Sequence, residues 1–112
     1  MAIASEKKTK KYKQIRESLI EQLKIRKKDY PYNLDLIEDY MDLYVTKSRL
    51  IKDVEERGVS IEWNNGGGQR GRKKNDSVEL LLKVNKQMLS IISELGIKAD
   101  EVLIEDDEDD KL

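Results

Sequence analysis

The chain has 112 residues, 22 basic and 23 acidic, with no histidine and no cysteine. This length fits one small domain with tails, and its 30 Leu, Ile and Val residues are too many for a fully disordered chain, yet 40% charge leaves only a thin core that favours association. Without cysteine there is no disulfide framework, thiol catalysis or thiolate metal site, and without histidine the commonest general base and transition-metal ligand are gone.

Three helices are expected. The first runs from about Glu6 to Lys28, capped by Ser5, with Tyr12, Ile15, Leu19 and Leu23 at helical spacing and a break enforced by Pro31. The second runs from Asn33, as N-cap, to Arg57, with Gly58 placed for a left-handed turn at its end. It carries two apolar seams, one through Leu34, Ile37, Met41, Tyr44, Ser48 and Ile51, the other through Leu36, Tyr40, Leu43, Leu50 and Val54. A helix apolar on two faces needs two neighbours, and in a chain this small one of them is expected to be another subunit.

Between the second helix and the third lies a basic, glycine-rich stretch, residues 58–75, expected as a flexible loop with a short extended piece at Val59, Ile61 and Trp63. The third helix runs from about Asp76 to Leu95, capped by Asn75 or Asp76 and ended by Gly96. Val78, Leu81, Asn85, Met88, Ile92 and Leu95 follow a heptad seam in which Asn85 is a candidate register device. Leu82 and Leu89 widen this stripe. The seam serves either an antiparallel hairpin with the second helix or a contact between subunits, or both. Candidate interface residues are thus Leu36, Tyr40, Leu43, Leu50, Val78, Leu81, Asn85, Met88 and Ile92.

The fold expected is all-α, divided into a basic arm over residues 1–30, a helical core over 31–98 and an acidic tail over 99–112. No apolar run approaches a membrane span and no signal peptide opens the chain, so a soluble cytoplasmic protein without membrane contact is expected.

The near-zero net charge conceals strong segregation. Residues 1–28 carry +7, 29–46 carry −5, 58–75 carry +3 and 99–112 carry −7. Such asymmetry points to a polyanion at one end and a separate role at the other. Candidate phosphate contacts are Lys7, Lys8, Lys10, Lys11, Lys13 and Arg16 of the arm and Arg70, Arg72, Lys73 and Lys74 of the loop. A solvated charged face or a plain linker is the alternative for each.

The loop is not a nucleotide site, because no Gly-Lys-Ser/Thr follows its glycines. Trp63 is favoured as an anchor on the core over a base-stacking platform. Six consecutive acids, Glu105 to Asp110, form at most a weak ion sponge. A tail that mimics nucleic acid, shields the arm or docks on a basic partner is favoured. No carboxylate pair sits in an apolar context, so no catalytic residue, metal site, cofactor or small-molecule substrate is expected.

The run Arg57-Gly58-Val59-Ser60-Ile61, then Asn65-Gly66-Gly67-Gly68-Gln69-Arg70-Gly71, Asn75 and a helix ending Glu94-Leu95-Gly96-Ile97 resembles the small subunit of tailed-phage terminase. The likeness is to the family associated with cohesive-end phages, and it covers about residues 15–103, with Asp39-Tyr40-Met41-Asp42-Leu43-Tyr44 in the tyrosine-bearing middle of the long helix. The chain departs from that pattern at Asp76, where Pro often stands, and at Lys98-Ala99-Asp100-Glu101.

The resemblance implies a non-enzymatic, ring-forming protein in the host cytoplasm. It would bind double-stranded viral DNA near the packaging start and recruit and regulate the large ATPase–nuclease subunit. A small helical transcription regulator or adaptor, acting as a dimer, is the competing expectation.

Overall fold

The computed structural model describes residues 7, 9–66 and 69–98. Three helices and a two-stranded antiparallel hairpin follow in the order α1 (Lys10–Ile25), α2 (Pro31–Arg57), β1 (Ser60–Gly66), β2 (Gln69–Lys74), α3 (Asp76–Leu95).

Helix α1 starts later than its charge pattern suggests. Thr9 is extended and its Oγ1 accepts the Tyr12 amide at 3.2 Å, filling the N-cap role expected of Ser5, which lies outside the described residues. The helix ends without a glycine. The Lys28 amide donates to the Leu23 carbonyl at 2.8 Å and the Lys27 amide to Lys24 at 3.0 Å, while Lys27 takes a left-handed φ of 57°. A side chain there is strained by about 1 kcal/mol. Lys27→Gly should therefore stabilise the fold by about 0.5 kcal/mol after the added freedom of the unfolded chain is subtracted. Thermal unfolding followed by circular dichroism should show a midpoint about 2–4 °C higher.

Helix α2 begins at Pro31, two residues before the expected Asn33 cap. Proline at the first helical position loses no hydrogen bond and arrives with a helical φ, so Tyr30 serves as N-cap with no side-chain bond of its own. Asn33 instead ties the turn, its Nδ2 donating to the Lys28 carbonyl at 2.8 Å. Gly58 ends the helix with φ 83°, its amide donating to Val54 at 2.7 Å.

The stretch after Gly58 departs most from expectation. In place of a flexible loop it forms the hairpin β1–β2, so the fold is mainly helical rather than all-α. Ser60 pairs with Lys74, Ile61 with Lys73, Glu62 with Arg72, Trp63 with Gly71 and Asn64 with Arg70, and the register slips between Asn64 and Gly66. The alternation of Val59, Ile61 and Trp63 with polar residues is a strand pattern.

Helix α3 is capped as expected. Asn75 Oδ1 accepts the Ser77 amide at 3.0 Å, and Gly96 is left-handed at φ 75°, ψ 23°. The Ile97 amide then returns to the Ile92 carbonyl at 3.2 Å, which brings the Ile97 side chain into the core.

The core joins Tyr12 and Leu23 of α1, Ile37, Met41 and Val45 of α2, and Ile91, Leu95 and Ile97 from the end of the chain's helical part. Leu23, Ile37 and Met41 are fully buried. Tyr12 meets Tyr44 edge to face, ring centroids 6.1 Å apart. Helices α2 and α3 are antiparallel: Arg57 contacts Asn75 at one end, and equal steps back along α2 and forward along α3 bring Lys47 to Asn85.

Candidate nucleic-acid interface

Burial of Tyr12 and Leu23 fixes the rotation of α1 and turns Lys10, Lys13 and Lys24 to solvent, with Lys11 exposed on a flank. Not every arm cation is equally available. Lys7 forms an ion pair with Asp42 at 3.2 Å, and that hydrogen bond raises its pKa. Arg16 reaches Glu38 Oε2 through Nε at 2.9 Å and Nη2 at 2.6 Å, which raises its pKa as well. Two acids of the negative 29–46 segment thus hold α1, and Lys7 just ahead of it, onto α2. Lys8 lies outside the described residues. Lys24, another basic residue of the arm, is exposed, and helical spacing from Lys10 and Lys13 places it on the same outward face.

The hairpin carries the other basic group. Arg72, Lys73 and Lys74 are exposed; Arg72 and Lys74 share one face of β2, and Lys73 occupies the other. Arg72 donates to the Ser60 carbonyl at 3.3 Å and Oγ at 3.2 Å, and stands 4.0 Å from Glu62. Arg70 pairs through its backbone with Asn64; its side chain and that of Trp63, expected to anchor on the core, lie outside what is described.

A polar knot fastens the hairpin to the helices. Asn75 is completely buried. Its Nδ2 donates to the Gly58 carbonyl at 2.9 Å and to Asp53 Oδ2 at 3.2 Å, and its Oδ1 accepts from Arg57 Nη2 at 3.2 Å as well as from the Ser77 amide. The Asn75 amide donates to the Val59 carbonyl at 2.8 Å. Asp53 also takes Ser77 Oγ at 2.6 Å and Arg57 Nε at 2.7 Å. The hydrogen bond from Arg57, followed by that from Ser77, holds the Asp53 carboxyl at about 2. Sequence reasoning finds Asn75 as a helix cap and misses the knot, because Asp53 lies on another element and carries no local signal.

The candidate interface residues divide into three groups. Met88 is buried, and Leu36, Tyr40, Leu43 and Ile92 pack against the core, while Leu50, Val78 and Leu81 are half-buried. Asn85 is exposed and accepts a hydrogen bond from Lys47 Nζ at 3.0 Å. The apolar groups open to solvent on α3 are Leu80, Leu82 and Leu89, of which Leu82 and Leu89 are 66% and 63% exposed and share one face two helical turns apart.

Among the described residues no cluster of three or more His, Cys, Asp or Glu is placed to hold a metal ion, and no helix is long and apolar enough to cross a membrane. The model of the family described as phage terminase, small subunit, matches residues 10–100, most of the chain. No curated protein and no solved structure matches.

Proposed function

We propose that this chain, which belongs to the phage terminase small-subunit family, binds viral DNA near the packaging start as an oligomer and brings the large ATPase–nuclease subunit to it. Membership places its role in phage DNA packaging. The observation that carries the DNA reading is the hairpin: Arg72, Lys73 and Lys74 stand exposed on a ribbon whose base is fixed to the helices by Asn75. A two-stranded ribbon fits a major groove or follows a phosphate track, and Lys10, Lys11 and Lys13 supply a second basic surface. In this reading the chain is a regulator and the cutting belongs to the large subunit.

The test is titration of the purified chain onto a duplex carrying the packaging region, with and without the large subunit. Bound DNA and stimulated ATP hydrolysis are expected; neither binding nor stimulation would overturn the reading.

Assembly into a ring would multiply modest contacts through avidity. The exposed Leu82 and Leu89 support a contact between copies, since paired leucines two turns apart are unfavourable in water. Light scattering should give a mass many times 13.1 kDa, and Leu82→Asp with Leu89→Asp should lower it to that of the single chain. A stable dimer with a palindromic footprint would favour the transcription-regulator reading instead.

A further inference from the structure

A groove of about 390 Å³ opens where α1, α2 and α3 meet, lined by Lys11, Ile15, Tyr44, Lys47, Ile51 and Met88. Its chemistry is mixed in a particular way. Ile15, Ile51 and Met88 give it an aliphatic floor, Lys11 and Lys47 give it two cations, and no carboxylate lines it among the described residues. Ile51 is 39% exposed on a helix that otherwise buries its large aliphatic side chains better. An occupant that joins apolar side chains to negative charge complements this lining. Nucleic acid has the charge without the aliphatic groups.

The chain itself holds one such segment: Val102-Leu103-Ile104 followed at once by six acids, Glu105 to Asp110. It is also long enough. The described chain stops at Lys98, just past Ile97, and Met88 lies about 10 Å back along α3 from Leu95 at 1.5 Å per residue. Six residues, 99–104, can reach at most about 20 Å.

We propose that the C-terminal segment turns back along α3, sets Val102, Leu103 and Ile104 in this groove and lays its acids against Lys11 and Lys47. The interaction joins burial of three aliphatic side chains to charge attraction, so it weakens with salt without vanishing. Docked in this way, the segment covers Lys11, on the flank of the α1 basic face. The docking is independent of the DNA-binding reading, and its test contains no DNA.

The absence of cysteine makes the test clean. Ser48 lines the groove, whereas Thr46 lies at the same level on the other side of α2; both are exposed. In the full chain, Ser48→Cys with Ile104→Cys should form a disulfide within one chain about tenfold faster than Thr46→Cys with Ile104→Cys, because docking raises the effective concentration of one pair alone. Adding Lys11→Glu and Lys47→Glu should return the rate to that of the control. Equal rates for the two pairs, or disulfides formed only between chains, would overturn the proposal, the latter by giving the groove to a neighbouring copy's tail. A second measurement leaves the helical core untouched: Val102→Asp, Leu103→Asp and Ile104→Asp should raise acylation of Lys11, read by mass spectrometry, several-fold. Unchanged labelling of Lys11 would equally overturn it.

Discussion

Asn75→Ala should lower the stability of the chain by about 3 kcal/mol, measured by urea unfolding. The side chain is fully buried and joins two helices: it caps α3 through Ser77, holds the Gly58 carbonyl at the end of α2, and bonds Asp53 and Arg57 of α2. Loss of a cap costs about 1 kcal/mol, and a buried carbonyl left without its donor costs about 1–3 kcal/mol more. Asn75→Asp separates the two effects. It keeps the acceptor for Ser77, forfeits the donor to Gly58 and sets a second carboxylate beside Asp53. In the native knot, with its pKa lowered from 3.8 to about 2, Asp53 contributes fully above about 4 and loses that contribution progressively as pH falls from there through 2. Asn75→Asp should instead recover stability as pH falls toward 4, where one of its two facing carboxylates takes up a proton.

Replacing Arg70, Arg72, Lys73 and Lys74 by Ala should reduce the slope of log affinity for duplex DNA against log salt by about 3.6, at roughly 0.9 for each phosphate no longer neutralised. The weakening should be similar on unrelated sequences if the hairpin follows the backbone, and concentrated on the packaging region if it reads base edges. Fluorescence anisotropy over a range of salt concentrations provides the measurement, and an unchanged slope would move the DNA grip to α1. Asn75→Ala gives the complementary result. It leaves all four charges in place and releases the hairpin base, so affinity should fall with little change in slope.

The helices are legible in the sequence because their signals are local. The spacing of Tyr12, Ile15, Leu19 and Leu23, the glycines at 58 and 96, and Asn75 before an apolar run each act within a few residues of themselves. The starts of α1 and α2 are less so. Ser5 and Thr9 both offer a cap hydroxyl, and Asn33 competes with a proline that already suits the first turn. The hairpin resembles a loop in sequence because glycine density is a loop signal, whereas strand pairing links residues as distant as Ser60 and Lys74. Among the candidate contacts, sequence carries the sign of each charge without its partner. Only the fold engages Arg16 with Glu38, Lys7 with Asp42 and Asn85 with Lys47, and leaves Lys10 and Lys13 facing solvent.

The two turns of the helical core have a directional consequence. The hairpin departs where α2 ends and α3 begins, at Gly58 and Asn75, whereas the chain leaves α3 at Gly96, beside Lys28 of the α1–α2 turn. The segment carrying +3 and the segment carrying −7 are therefore rooted at opposite poles of one antiparallel rod. Copies packed side by side in parallel would align these poles, with basic ribbons on one rim and the roots of the acidic segments on the other. Such an assembly has a front and a back, so a duplex and a basic partner would approach it from opposite sides.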